Sequence, residues 1–329
     1  MSNVVLRRIT TVTGVFVAAI LLLLLAPLWL VIGALVDLLR GKWHLPIVRL
    51  LGFSLCWAWL EVGGVSGAIF TWVIGRARHM PTQYALQRWW TKWLIRSLRI
   101  TCGLRIDPQG ASSLPYGPLV CLGRHASLGD ALVSAWILGS VAHRFPRYVM
   151  KRELLIDPCL DIVGQRIPNR FVERGSAAVR QELAGIQGMA TDMNDYDVAV
   201  IFPEGTRAND DKRTYLLERI GKRSPERQQK LSLLKHLVPP RAAGAEALLK
   251  AVPTADVVLM WHVGFDGLDT FGGILRRLEQ GPSTAKVVFE VISRSEIPVG
   301  AKFSDWLDDR WVEIDAKVDS DLSALTSNS

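Results

Sequence analysis

Two short stretches, about 75 residues apart, hold the side chains best suited to chemistry. In Gly123-Arg124-His125-Ala126-Ser127-Leu128-Gly129-Asp130 a histidine precedes an aspartate with four residues between them. A carboxylate that bonds one imidazole nitrogen leaves the other free as a general base. The same Ser-x-x-Asp spacing, Ser127 to Asp130, is also a helix-start arrangement, and one geometry can serve both purposes. In Phe202-Pro203-Glu204-Gly205-Thr206-Arg207, Gly205 permits a turn closed to bulkier residues. Arg207 then faces the site as a bidentate donor to an anionic group such as phosphate. Glu204 either bonds a substrate hydroxyl or locks Arg207. His-x4-Asp alone is a weak signal; the hexapeptide is far more specific. The other histidines, His44, His79, His143, His236 and His262, receive no role.

Both stretches must be presented by ordered elements. Each follows an apolar, strand-like run, Pro118 to Leu122 and Val198 to Phe202, and open α/β sheets carry their reactive residues at the carboxyl ends of strands. Further candidate strands are Arg105 to Asp107, Arg147 to Met150, Val257 to Val263 and Val287 to Ile292. Candidate helices are Gly129 to Ser140, Ala177 to Met193, Pro225 to Leu234, Ala243 to Lys250, and Ser304 to Lys317 with Ser304 as N-cap. That alternation predicts an α/β domain around a largely buried sheet.

The front of the chain differs in kind. Val12 to Val36 is a nearly unbroken apolar run with no charge until Asp37, long enough to cross a bilayer core. A second run, Leu50 to Ile74, carries one internal charge, Glu61, which is costly in lipid unless paired. The first run is too long for a signal-peptide core and lacks a small-x-small cleavage site. The pair is read as a membrane hairpin or a re-entrant pair, with the basic flanks Arg7, Arg8, Arg76, Arg78, Arg88 and Lys92 placing both ends on the cytoplasmic side. Arg40, Lys42 and Arg49 in the loop dilute that asymmetry. Met80 to Leu98 mixes Trp89, Trp90 and Trp93 with Arg88, Lys92 and Arg96. It is either an interfacial helix at headgroup level or an amphipathic helix packed on the domain. The formal net charge of +8 beside such an anchor fits an anionic membrane surface better than nucleic acid, for which no motif is present. Cys56, Cys102, Cys121 and Cys159 have neither zinc-site nor disulfide-framework spacing. Gly-x-Ser-x-Gly, Walker and Gly-x-Gly-x-x-Gly signatures are missing, which argues against an acyl-serine enzyme and against nucleotide chemistry.

The His-x4-Asp and Phe-Pro-Glu-Gly-Thr-Arg pair resembles the signature of the glycerolipid acyltransferase superfamily. Between them, Phe171-Val172-Glu173-Arg174 resembles the family's block in which an arginine adds to the acceptor phosphate site; Arg174 matches that position, with Arg166 and Arg170 nearby. Leu237-Val238-Pro239-Pro240-Arg241-Ala242-Ala243-Gly244 resembles the Val-Pro-x-x-x-Gly portion of the branch that includes lysophosphatidic acid and lysocardiolipin acyltransferases. The resemblance covers roughly Arg99 to Asp315. Where the family commonly has asparagine before the histidine, this chain has Arg124, which would add an anion contact or weaken the base.

The resemblance implies a glycerol-3-phosphate acyltransferase-like αβ domain, a mixed sheet flanked by helices, behind an N-terminal membrane-anchoring hairpin. The organisation expected is hairpin 1–79, interfacial helix or linker 80–98, acyltransferase domain 99–318 and a loose polar tail 319–329. It implies transfer of an acyl group from acyl-CoA, or from acyl carrier protein, to the hydroxyl of a lysophospholipid, foremost 1-acyl-sn-glycerol 3-phosphate. His125 and Asp130 are the catalytic pair, Arg174, Glu204, Gly205, Thr206 and Arg207 hold phosphate and glycerol, and Arg124 and Arg170 are further anion contacts. No metal or bound cofactor is implied, and the partners are the phospholipid bilayer and the two substrates. Alternatives are a remodelling enzyme for another lysophospholipid and a non-catalytic lipid-binding protein of the same fold. The basic stretch from Lys212 to Lys235 is either a solvated insertion or a flap on anionic lipid or CoA phosphates.

Overall fold

Strands covered on both faces read as continuous apolar runs, and those at the centre of this molecule do. The computed structural model of the chain describes residues 2–173, 179–268 and 270–327. Its strands are β1 (Leu104–Gln109), β2 (Leu119–Gly123), β3 (Phe145–Lys151), β4 (Arg170–Val172), β5 (Asp197–Ile201), β6 (Asp256–Val263) and β7 (Ser283–Ile292). Its helices are α1 (Ser2–Leu24), α2 (Ala26–Leu39), α3 (Pro46–Val73), α4 (Met80–Ser97), α5 (Asp130–Trp136), α6 (Pro158–Ile162), α7 (Val179–Ala190), α8 (Asp210–Gly221), α9 (Pro225–Leu231), α10 (Ala242–Ala251), α11 (Phe271–Glu279) and α12 (Ala301–Ser327). The strands form one seven-stranded sheet in the order β1-β7-β6-β2-β5-β3-β4. Every neighbouring pair is parallel except β6 and β7. The sheet is therefore mixed and flanked by helices.

Alternation along β2 builds the core on both faces. Val120 and Leu122 join Ile201, Leu248, Leu259 and Trp311 on one side. Leu119 and Cys121 join Val133, Leu138, Tyr148 and Met260 on the other. Because β2 lies between β5 and β6, the loops leaving all three carboxyl ends meet. Gly123, the last residue of β2, is required there: a Cβ would come within 2.6 Å of Met260 Cε and 2.8 Å of the Phe202 ring.

The long apolar run breaks into α1 and α2 at Leu25, just before Pro27, whose ring cannot continue an uninterrupted helix. Asp37 in α2 is fully buried because its Oδ2 accepts from the Ile47 and Val48 amides at 2.9 and 3.3 Å, capping the start of α3. Helix α3 is held by the domain along its length. Near its start, Arg49 donates to the Thr101 and Leu278 carbonyls. At its middle, Glu61 accepts from Trp90 Nε1 (3.0 Å) and the Cys159 amide (3.1 Å). Near its end, Arg166 donates to Ala68 O (2.9 Å) and Thr71 Oγ1 (3.0 Å). Helix α1 is tied by Arg7 and Arg8 to Asp161. Two helical segments, Val4–Leu24 and Pro46–Val73, are long and apolar enough to cross a membrane by length and composition.

Several elements depart from the sequence reading. Strand β4 has three residues, too short to show alternation. Helix α8 fully buries no residue and meets the core through a narrow stripe, Leu217 and Ile220; Asn209 caps it through the Lys212 amide at 2.9 Å. Helix α11 contains Gly272 and Gly273, which hide it. Helix α12 starts at Ala301, leaving Ser304 inside it, and runs to Ser327 instead of stopping at Lys317. Its last turns are held by Asp319 on Lys235 and His236 and by Asp321 on Lys286. The α7 expectation from Ala177 begins in residues outside those described.

Candidate active site

Asp130, the first residue of α5, is the hub. Its Oδ2 accepts from His125 Nδ1 (2.8 Å) and from the amides of Ala126 (2.8 Å) and Ser127 (2.9 Å). Its Oδ1 accepts from Ser127 Oγ, which itself accepts from the Gly129 amide. The helix-start contacts of Ser127 and the Asp130–His125 bond are thus parts of one network. Burial works to raise the Asp130 carboxyl, but His262 and His125, by charge and contact, outweigh it and hold the group well below the usual carboxylate range. An ionised Asp130 fixes the proton of His125 on Nδ1 and leaves the lone pair on Nε2. The His125 side chain is 20% exposed while Asp130 is fully enclosed, so the imidazole is the member a substrate can reach. Phe202 lies against it, ring centroids 5.0 Å apart.

The hexapeptide loop is built around Glu204. This residue is fully buried, with Oε1 accepting from the His125 amide (2.8 Å) and Oε2 from the Val238 amide (3.3 Å). Burial pushes its carboxyl up to about 8, against the pull of those amides and of Arg124. It clamps the His125 loop to the Val238–Pro239 segment instead of facing a hydroxyl or Arg207. Gly205 turns with φ +65°. Arg207 follows, and the next residue ties the turn to the histidine loop through a 2.8 Å bond from the Ala208 amide to the His125 carbonyl. Thr206 lies in the same half-buried turn.

Arg124 is not an open anion contact. It is 1% exposed, and its guanidinium is engaged by Asp266 Oδ1 at 2.6 Å and by the His262 carbonyl. Arg170 pairs with Glu182 at 2.9 Å and lines a separate cleft with Arg7 and Arg152 at the β4 edge. Arg174 lies outside the described residues. Much of the basic stretch is matched by α12: Arg227 with Asp308, Lys230 with Asp309 and Lys235 with Asp319.

Two cavities adjoin residues next to His125, and His125 itself lines neither. An apolar one of about 280 Å³ is lined by Leu128, Ala131 and Leu132 and by Trp90, Gly64 and Cys159 at the α3 side. A polar cleft of about 530 Å³ is lined by Ala126 and Ala208 and by charged groups of both signs, Arg213, Lys235 and His236 with Asp210, Asp211 and Asp266. His262, given no role from sequence, proves to be part of the site: its Nε2 lies 3.2 Å from Asp130 Oδ1. The signal available was a histidine inside the otherwise apolar run of β6. Among the described residues no cluster of His, Cys, Asp and Glu could hold a metal ion.

An acyltransferase family model matches residues 105–260. No curated protein matches the sequence significantly. Among solved structures, the chain is similar to the 1-acyl-sn-glycerophosphate (LPA) acyltransferase PlsC from Thermotoga maritima. The TM-score is 0.54 and the identity 14%, covering 82% of this chain and 96% of that one. At that identity the likeness establishes the fold.

Proposed function

We propose that the chain, whose residues 105–260 match an acyltransferase family model, is a member of the glycerolipid acyltransferase superfamily and moves a fatty acyl group from acyl-CoA to the free hydroxyl of a lysophospholipid, foremost 1-acyl-sn-glycerol 3-phosphate. The observation that carries this reading is the aspartate-held imidazole of His125, with an apolar cavity suited to a hydrocarbon chain at the neighbouring residues Leu128, Ala131 and Leu132.

In this mechanism His125 Nε2 takes the proton of the lysolipid hydroxyl as its oxygen attacks the thioester carbonyl. The imidazolium that forms is stabilised by Asp130. As the tetrahedral intermediate collapses, the C–S bond breaks and His125 returns the proton to the departing thiol. Glu204 and Ser127 position the pair without touching substrate. Arg207, with Arg174, holds the acceptor phosphate and so fixes the hydroxyl for attack.

Helices α1 to α3 anchor the enzyme by entering one face of the bilayer, on the cytoplasmic side. From Arg49 to Thr71 is roughly 33 Å of helix, about the thickness of a hydrocarbon core. Domain groups touch α3 at both ends and the middle, and lipid-exposed loops do not lie within the hydrocarbon core. The outward side is apolar, with Leu24, Leu28, Val31, Leu35 and Leu39 exposed.

The test is thiol release from a long-chain acyl-CoA by the full-length protein over a panel of lysophospholipids. Release confined to lysophosphatidic acid and lost in His125→Ala supports the reading. Release with other lysolipids moves the acceptor to a remodelling substrate. Activity retained in His125→Ala removes the general-base role. If no acceptor and no thioester donor gives histidine-dependent release, the lipid-binding alternative stands instead.

A further inference from the structure

After Asp256 at its start, strand β6 is apolar with one exception. Val257, Val258, Leu259, Met260, Trp261 and Val263 are all buried hydrophobics, and His262 between them is only 2% exposed. Neither ring nitrogen of His262 has an aligned hydrogen-bond partner. The 3.2 Å approach of Nε2 to Asp130 Oδ1 lies off the N–H axis, so the contact is electrostatic more than directional. A buried imidazole so poorly satisfied costs free energy that valine or isoleucine would not. A purely packing role would favour the apolar residue. What the imidazole gains at this position is the catalytic carboxylate.

We propose that His262 is a positioning residue for the dyad, holding the Oδ1 side of Asp130 from β6 while His125 engages Oδ2 from the β2 loop. The inference rests on the general-base reading of His125. The ring is itself fixed: its edge meets Phe265, with centroids 5.0 Å apart, and its backbone carbonyl accepts from Arg124. The charged and titratable groups around it are Asp130 and His125, Arg124 on the β2 loop, Asp266 after β6, and Glu204 beyond Asp130. Asp266 acts on His262 as well but is paired with Arg124 at 2.6 Å, whereas Asp130 approaches the ring itself at 3.2 Å.

The consequence concerns base strength. An undivided carboxylate raises the proton affinity of the imidazole it bonds. A second imidazole, as N–H dipole or as cation, draws on the same charge and lessens that effect. Removing His262 returns the whole charge to His125, so the acid limb of the rate profile moves upward. Orientation of Asp130 also loosens, which lowers kcat more than it alters KM.

The experiment compares wild type, His262→Phe and His262→Gln as full-length enzyme in lipid vesicles, with His125→Ala as reference. His262→Phe should lower kcat about tenfold, leave both KM values within about twofold, and shift the acid limb of kcat/KM upward by roughly half to one pH unit. His262→Gln, which keeps an N–H donor, should recover much of the shift. If His262→Phe matches the wild-type limb, the residue only packs and the inference falls. If His125→Ala retains activity, the general-base reading itself falls and takes the inference with it. Should both His262 variants fail to fold, ¹⁵N-histidine spectra of the wild type decide. A proton on His262 Nε2 supports the contact, and a proton on Nδ1 alone overturns it.

Discussion

The crest of loops around His125 and the helical hairpin at the front of the chain both bury carboxylates, but with different partners. Asp130 is met by two imidazoles, a hydroxyl and two amides. In the hairpin, Asp37 is met by two amides and Glu61 by an amide and an indole N–H. Neutral donors are enough to bind one segment to another. Partners able to carry positive charge keep a carboxylate ionised where chemistry needs it. The same motif of a buried acid thus holds the proposed catalytic imidazole in one region and joins helices in the other.

The sharpest way to break this contrast is Asp130→Asn. The amide cannot hold the proton on His125 Nδ1, and kcat should fall by about 10³- to 10⁴-fold with near-native far-UV circular dichroism. A loss below about tenfold would reduce Asp130 to a helix-start residue.

Glu204 sharpens it within the crest, because it is a buried acid without an ion-pair partner of its own. Its folded carboxyl is pushed up to about 8, above its unfolded value of about 4.3. Between those limits the folded chain keeps a proton that the unfolded chain has lost, so stability falls as pH rises through that window. Glu204→Gln cannot ionise. Denaturant midpoints from pH 5 to 8 should show its slope flatter by up to about 1.4 kcal/mol per pH unit. An unchanged slope would mean that Glu204 is ionised in the folded protein. Asp130 has the opposite sign: its stabilisation is present above the ordinary carboxylate range and is lost only as pH falls below it.

The smallest effect is expected in the hairpin. Glu61→Gln keeps one acceptor and loses the other, which should cost about 1–2 kcal/mol of stability while kcat of the folded enzyme stays within about threefold. A loss of turnover comparable to that of Asp130→Asn would end the division of labour between the two regions.

Particular residues show why some of this was readable in the chain. His125, Asp130 and the Glu204–Arg207 turn lie close in sequence to the strand ends that present them, so the two motifs read together announced them. The runs that became β2, β5 and β6 were equally plain, being apolar but for His262. Arg124 and Glu204 misled, because residue type says that a group is charged and not which way it faces. Both turned inward, one to Asp266 and the other to two backbone amides. The role suggested for the Lys212–Lys235 stretch had the same weakness, since the acids that match it lie some 80 residues away on α12.

By itself the sequence determined the class of domain, the apolar front and the His125–Asp130 pair, because each depends on neighbours within a few residues or on composition over a window. Tertiary structure decided the rest. The contact of His262 with Asp130 spans more than 130 residues of chain, and the grip on α3 joins Arg49, Glu61 and Thr71 to residues scattered from Thr101 to Leu278. No local pattern encodes such contacts, for they arise only when β6 is paired beside β2 and α3 is laid along the domain.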